Sequence, residues 1–413
     1  MFKGLRYLLL LCLSAGLVFA CAPRSVTAPP DGLSGQIRLL RQGTLTVLVQ
    51  NAQGQPIANA KVVAAQQTHA FPFGVALDTA MFEPSPPPAA NWYRNTARQN
   101  FNAAVHENAL KWYALEPEQG KLDFTMADRI LAWSEAQGWP MRGHTLFWEV
   151  EQFNPPWLKT LPPEQLRAAV KNHAMTVCRH YRGRINEFDV NNEMLHGNFF
   201  RSRLGNGIVK EMFEWCREGN PEAVLYVNDY GIIEGDRLDD YVQQIRDLLG
   251  QGVPIGGIGI QAHLEYPLDA AKMKRALDTL AQFNLPLKIT EVSVSLADEQ
   301  QQAETLRQIY RIGFAHPAVK EILLWGFWEG NHWRPQAGLY RRDFSAKPAA
   351  EAYRQLLFQE WWTTSNGKTN ADGRWQTRGY AGRYRLTVTA NGQTINRDID
   401  LPDLERTVTV QFP

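Results

Sequence analysis

Seven short apolar runs of this chain end in side chains that can move a proton, coordinate or hydrogen-bond: His106, Glu107 and Asn108; Trp148 and Glu149; Asn191, Asn192 and Glu193; Asn228 and Asp229; Gln261 and His263; Glu291; and Trp325 with Trp328. A run such as Phe188-Asp189-Val190 leading into Asn191-Asn192-Glu193 is apolar enough to be buried. Each polar group left unpaired there would cost about 1 to 3 kcal/mol. One such end is explained by a structural ion pair, but a whole set of them calls for a common use. Glu193 and Glu291 carry the sharpest possibility. Two facing carboxylates can cleave a glycosidic bond, one protonating the leaving oxygen while the other attacks the anomeric carbon or activates water. Their separation is about 5 to 5.5 Å for retention and about 6.5 to 9.5 Å for inversion. A metal site is the competing use of this inventory. No His-x-x-x-His pair or cysteine cluster accompanies it, and Glu, Gln and Asn beside Trp suit sugar hydroxyls and ring faces better. Neither a metal nor a cofactor is expected.

Such a site needs strand ends gathered on one rim. The candidate strands lie at residues 71–77, 103–108, 141–148, 185–193, 224–230, 258–263, 287–294 and 322–328. Between them, stretches such as 125–137, 163–181 and 299–315 repeat apolar residues at three and four spacing, with Thr125 and Pro163 placed as helix starts. Eight strand–helix units predict a parallel sheet closed into a (β/α)8 TIM barrel over residues 70–360, whose C-terminal rim is where active sites are built. Glu193 closes the fourth strand and Glu291 lies in the seventh. A doubly wound open sheet is the alternative fold, and it would call for a glycine-rich phosphate turn after the first strand, which is absent. Residues 36–69 read as a small β segment before the barrel, turning at Gln53-Gly54-Gln55-Pro56. Residues 363–413 read as a small C-terminal β module, punctuated by Asn370-Ala371-Asp372-Gly373 and Ala390-Asn391-Gly392.

Composition sets the limits. With 413 residues, 44% apolar and 21% charged, the chain is neither disordered nor fibrous, and 43 basic against 42 acidic residues leave no field for nucleic acid. Thirteen Trp exceed what core filling needs and point to flat ligands such as sugar rings. Residues 1–21 read as an export signal, with Lys3 and Arg6 ahead of an apolar stretch too short to span a bilayer. Val18-Phe19-Ala20-Cys21 resembles a lipoprotein processing box that would lipidate Cys21, and ordinary signal cleavage also suits Val-x-Ala. Residues 22–35 read as a tether. Export to the cell envelope or beyond follows, with membrane contact only through such an anchor, and a monomer is expected. Cys178 and Cys216 read as two buried thiols, although an oxidising compartment would allow a disulfide.

The strand ends also carry a resemblance. The run His106-Glu107-Asn108-Ala109-Leu110-Lys111-Trp112, then Glu116-Pro117 and Gly120, is one part of it. Arg142-Gly143-His144-Thr145-Leu146-Phe147-Trp148, Asp189-Val190-Asn191-Asn192-Glu193 and Val227-Asn228-Asp229-Tyr230 continue it, followed by residues 257–264, Ile289-Thr290-Glu291 and Trp325-Gly326. Together they resemble glycoside hydrolase family 10, the endo-β-1,4-xylanases. The segment before the barrel, Phe327-Trp328-Glu329-Gly330 and residues 375–384 are similar to its plant-type branch. The resemblance implies retaining hydrolysis of β-1,4-xylan, with Glu193 as acid/base and Glu291 as nucleophile. It implies that Asn192 holds the 2-hydroxyl, that Glu107, Asn108 and Lys111 line the glycone side with Trp148 and Glu149, that Gln261 and His263 bracket the nucleophile, and that Trp325 and Trp333 wall the site. On this reading Glu193 needs a raised pKa and Glu291 needs hydrogen bonds that keep it ionised.

Two positions depart from the family pattern. Glu149 stands where a His follows the third-strand Trp, which opens the question of the glycone contacts. Ser293 stands where an Asp follows the nucleophile by two, which opens the question of the charge on His263. Lys111 could instead simply pair with Glu107, and Trp112 and Trp139 read mainly as core. Two other functions remain at this point: a non-catalytic carbohydrate-binding lipoprotein on a barrel scaffold, and a retaining β-1,4-glucanase.

Overall fold

Burial along the candidate strands decides how they are arranged. In the computed structural model, which describes residues 32–413, Phe73–Leu77 and Leu287–Val294 are buried at every position, and Glu187–Asn192 and Val224–Asp229 at all but the first. A strand covered on both faces belongs in a parallel sheet wrapped by helices. After β1 (Gln42–Gln50) and β2 (Lys61–His69) come the barrel strands β3 (Phe73–Leu77), β4 (Ala103–His106), β5 (Met141–Arg142), β6 (Phe147–Trp148), β7 (Glu187–Asn192), β8 (Val224–Asp229), β9 (Gly257–Leu264), β10 (Leu287–Val294) and β11 (Val319–Leu324). They pair in the order β5-β4-β3-β11-β10-β9-β8-β7-β6, all parallel. Because β5 and β6 are two pieces of one interrupted strand, bridged to β7 at Gly143 and Phe188, the ring has eight staves. It is a (β/α)8 barrel.

The two helix starts named from the sequence hold. Pro163 opens Pro163–His180, which buries Leu166, Val170, His173, Ala174 and Val177 on one face, and Thr125 opens Thr125–Ala136 with its amide bonded to the Asp123 carboxylate at 2.8 Å.

The two terminal β modules are halves of one body. β12 (Thr364–Lys368), β13 (Arg374–Tyr380), β14 (Gly382–Ala390), β15 (Gln393–Leu401) and β16 (Glu405–Gln411) complete two sheets, β13-β1-β16 and β12-β2-β14-β15. Their facing sides bury Leu45, Val47, Val62, Trp375, Leu386 and Val410. Successive strands β1 and β2 thus enter different sheets, and each pairs with chain some 300 residues away.

Two expectations are corrected. Residues 22–35 do not end as a tether, because a helix already runs over Gly32–Arg41. Its glycines and serine are poor helix formers, but docking compensates: Ile37 is fully buried, and the Arg41 guanidinium donates to the carbonyls of Phe314, His316 and Val319 at 2.9 to 3.0 Å while lying over the Phe71 ring. Residues 1–31, including Cys21, lie outside the described residues. Among the described residues no helix is long and apolar enough to cross a membrane. The second correction concerns Cys178 and Cys216, which are joined as a disulfide, their Cα atoms 5.4 Å apart. Pro163–His180 packs against Ile208–Gly219, and both cysteines face that seam.

Replacing Cys178 and Cys216 together by Ala is expected to remove about 2 to 4 kcal/mol of stability in denaturant unfolding, since the bridge restrains the unfolded chain. An unfolding curve that overlays the wild type would show the bridge to be energetically idle.

Candidate active site

Glu193 leaves β7 with φ at 59°, in the left-handed region that costs a residue bearing a Cβ about 1 kcal/mol or more. Backbone bonds hold the turn: Glu193 N donates to Asn228 O at 2.9 Å, and Glu193 O accepts from His196 N and Gly197 N at 3.0 and 3.1 Å. The Asp229 carboxylate fixes the following loop by accepting from Leu195 N at 2.9 Å and from His196 Nδ1 at 2.8 Å. Glu291 is aimed by a different device. Register between β9 and β10 steps from Ile289 to Glu291, so Thr290 is the extra residue of a bulge, and Val190 is the corresponding extra residue of β7 against β8. Bulges beside a barrel mouth redirect side chains. Gly326, at φ 86° after β11, completes the rim, since a Cβ there would lie 2.7 Å from the His332 ring.

Both carboxylates reach one cavity of about 570 Å³ at the C-terminal ends of the strands. Glu193 Oε2 accepts from Trp148 Nε1 at 2.7 Å, and its Oε1 accepts from Gln261 Nε2 at 3.1 Å. Glu291 Oε1 accepts from Asn228 Nδ2 at 2.7 Å, its Oε2 meets His263 Nε2 at 3.1 Å, and His144 Nδ1 stands 3.9 Å from Oε1. Asn228 Nδ2 also donates to Asn192 Oδ1 at 2.9 Å. Lys111 does not form a close pair with Glu107: its ammonium donates to Asn108 Oδ1 at 3.2 Å and lies 4.7 Å from the centre of the Trp148 ring. Trp325, Trp333, Glu107 and Asn108 line the same cavity.

Burial raises the pKa of Glu193, the charge of Glu291 raises it further, and the bonds from Trp148 and Gln261 pull it back. Burial also raises Glu291, opposed by His144, Lys111 and the Asn228 bond. The hydrogen bonds expected at Glu291 exist, but burial outweighs them. What differs between the two carboxyls is what opposes the rise: His144 and Lys111 at Glu291, and the neutral donors Trp148 and Gln261 at Glu193. Glu107 is pushed up to about 8 by burial and by Asp78. His263 is pushed down to about 3 by burial and by Arg334, so the imidazole is neutral. Its Nδ1 and the Ser293 hydroxyl, opposite each other in register on β9 and β10, are both buried without a partner among the described residues.

Glu149 is not brought to the cleft, which corrects its expected place among the sugar contacts. It is fully buried behind β6, where it accepts from Asn191 Nδ2 at 3.1 Å, Phe200 N at 3.0 Å and Arg201 Nε at 3.2 Å, because an ionisable group sealed from water must be paired. Trp112 is core, stacked on His173 at 4.0 Å. Trp139 lies at the other end of the barrel, half-buried. Sequence reasoning left Asn228 and His144 without a role, although both sit in runs it singled out. Tyr230 closes a run already singled out, whereas Phe153, stacked on Trp148 at 3.9 Å, Tyr113, Tyr266 and Arg334 come from short helices and loops that carry no strand-end signal.

A parallel eight-stranded barrel with two hydrogen-bonded glutamates in an aromatic-walled cleft over its strand ends defines the class: an α/β-barrel glycosidase scaffold. The pattern of glycosyl hydrolase family 10 matches residues 62–356, and the chain belongs to that family. It is 37% identical over 365 residues to the anti-sigma-I factor RsgI6 of Acetivibrio thermocellus, covering 88% of this chain and 47% of that protein. It is 32% identical over 387 residues to endo-1,4-beta-xylanase 1 of Arabidopsis thaliana, covering 92% of this chain and 40% of that one. The chain therefore spans less than half the length of either relative. Its fold superposes on xylanase 10B of Thermotoga petrophila in complex with xylobiose with a TM-score of 0.65 at 28% identity, over 70% of this chain and 94% of that structure.

Trp148→Phe removes a bond to the ionised form of Glu193 and so raises the pKa of that carboxyl further. A hydrogen bond of about 1 kcal/mol corresponds to roughly 0.7 pH unit. The alkaline limb of the pH profile of kcat/KM is expected to move up by that order, and an unmoved limb would separate Glu193 from it.

Proposed function

We propose that the protein is a retaining endo-β-1,4-xylanase, acting by double displacement on internal bonds of xylan. The observation that carries this reading is the division of partners between two glutamates in one cavity, with Glu193 on Trp148 and Gln261 and Glu291 on Asn228 and His263. In the first step Glu291 attacks the anomeric carbon, the glycosidic bond breaks, and the proton of Glu193 passes to the leaving oxygen. In the second, Glu193 takes a proton from water as that water displaces Glu291, restoring both groups. The raised pKa of Glu193 supports the acid role. Loading of Glu291 with sugar removes one of the two charges, which lowers the pKa of Glu193 and suits it to act as base.

Asn192, tied through Asn228 to Glu291, is the group for the hydroxyl next to the reacting carbon. Glu107, Asn108 and Lys111 hold the glycone side, Gln261 and His263 bracket the two carboxyls, and Trp148, Trp325 and Trp333 offer apolar faces to the sugar rings. The relatives named as endo-xylanases and the xylobiose-bound structural neighbour support xylan as the substrate.

Glu291→Ala is expected to abolish turnover of every substrate and to be rescued by azide with inverted product. Glu193→Ala is expected to spare substrates with a good leaving group in the first step. Release of oligosaccharides from xylan and not from carboxymethylcellulose checks the substrate. Equal losses in both variants on aryl and polymeric substrates would reject the assignment of roles.

Export with a lipid on Cys21 belongs to the same reading, supported by the sequence of residues 1–21. The protein is then expected in the detergent-rich phase on partitioning and Cys21→Ala in the aqueous phase, a shift driven by about 0.8 kcal/mol per buried methylene. Wild-type protein confined to the aqueous phase would refute the anchor.

A further inference from the structure

A second cavity, of about 740 Å³, opens at the end of the barrel opposite the glutamates. Its lining fixes its position. Phe73 begins β3, Asn102 precedes β4 and Pro140 precedes β5, while Thr68 of β2, Gly382 of β14 and Leu401 of β15 close it from the β body. At about 3.3 Å per strand residue, roughly 20 Å of barrel separates the two cavities.

The floor of this cavity is aromatic and held in place. Trp139 is braced edge-on by Trp133 at 5.3 Å, and Trp362 is braced by His69 at 5.2 Å and by Phe358 at 5.6 Å. Trp139, Phe358 and Trp362 are all half-buried and contribute to the lining, so each keeps surface for a ligand. The charged part of the lining is Arg98, Arg383 and Arg406 against a single carboxylate, Asp400. Arg383 and Asp400 are paired in the β14–β15 register, yet neither Arg383 nor Arg406 forms an ion pair with a described residue. The lining thus combines fixed aromatic surfaces with an excess of positive charge, three guanidinium groups to one carboxylate. Rings of that kind take the apolar faces of sugars, and guanidinium forks take carboxylates.

We propose that this cavity is a second polysaccharide site that holds a stretch of β-1,4-linked xylan bearing uronic acid groups. The sugar faces lie on Trp139 and Trp362, and the carboxylates meet Arg383 and Arg406. The inference rests on the xylanase reading for the identity of the polymer. Its consequence is that a chain held here keeps the catalytic cleft at a high effective concentration of substrate.

The test is retention of the full protein in native gels containing glucuronoxylan, or the same polymer with its carboxyl groups reduced, beside turnover of an aryl xylobioside too short to reach both cavities. Trp362→Ala is expected to weaken retention on both polymers by about tenfold, the scale of one lost aromatic contact. Arg383→Ala combined with Arg406→Ala, at two exposed positions, is expected to weaken retention on the acidic polymer alone. Turnover of the aryl substrate is expected to stay at the wild-type level in all variants, which also reports intact folding. Retention indistinguishable from wild type in both variants overturns the second site, and an equal loss on both polymers in the arginine variant overturns recognition of the acid groups. If the wild type cleaves neither the aryl substrate nor xylan, the xylanase reading fails, and retention still decides the second site because it needs no turnover.

Discussion

The Asn228 carboxamide joins three strands at the point where the two glutamates meet. Its Nδ2 reaches Glu291 of β10 and Asn192 of β7, and its Oδ1 accepts from Thr290 at 2.6 Å. A carboxylate in a site with little water is tolerable only when its lone pairs are occupied, and an amide that itself has a partner cannot rotate away. That requirement dictates the local backbone. The bulges at Val190 and Thr290 and the left-handed turn at Glu193 depart from regular strand geometry, and each places a side chain where this network needs it.

Beneath the network the barrel is filled with charge rather than with aliphatic side chains alone. Arg142 donates through Nε to Asp189 Oδ2 at 2.9 Å and through Nη2 to Oδ1, and its Nη1 lies 3.6 Å from Glu187 Oε1. Lys288 sits between Glu187 and Glu321. Asp189 also accepts from His144 at 2.9 Å, and the same His144 Nδ1 stands 3.9 Å from Glu291 Oε1. Burial works against the charge on Asp189, but Arg142 and His144 hold it below the usual carboxylate range. A buried lattice of this kind is not a large source of stability, because desolvation offsets most of the attraction. It is specific in geometry, however, and it connects the floor of the barrel to the carboxylate at its mouth.

Above the glutamates, Trp148, Trp325 and Trp333 leave ring surface facing the cavity, with Lys111 lying over Trp148. Around the outside, a β body made from both ends of the chain closes over the opposite end of the barrel. Its strands pair residues about 300 positions apart, so forming the body closes a long loop whose entropic cost the barrel reduces by holding the two ends close. The Arg41 guanidinium, capping the carbonyls around Phe314 and Val319, fastens the two parts.

The sequence by itself determined the barrel and the identity of its rim. Eight apolar runs, seven of them ending in polar residues, alternate with helical spacing, and this pattern is local, so period and strand-end chemistry could be read directly at Glu193, Asn192, Gln261 and Glu291. Only the tertiary structure decided which neighbours those residues keep. Glu149 follows Trp148 directly, yet it turns behind the strand to Asn191 and Arg201. His263 loses its charge because burial and a loop arginine act on it together. Cys178 and Cys216 become a disulfide because two helices pack with those faces in contact. Residues 32–41 form a helix because Ile37 and Arg41 find a surface to bury against. The pairing of β1 with β13 and of β2 with β14 has the same origin. Each of these outcomes depends on groups distant in the chain, and burial and charge act through space, which no local spacing of residues encodes.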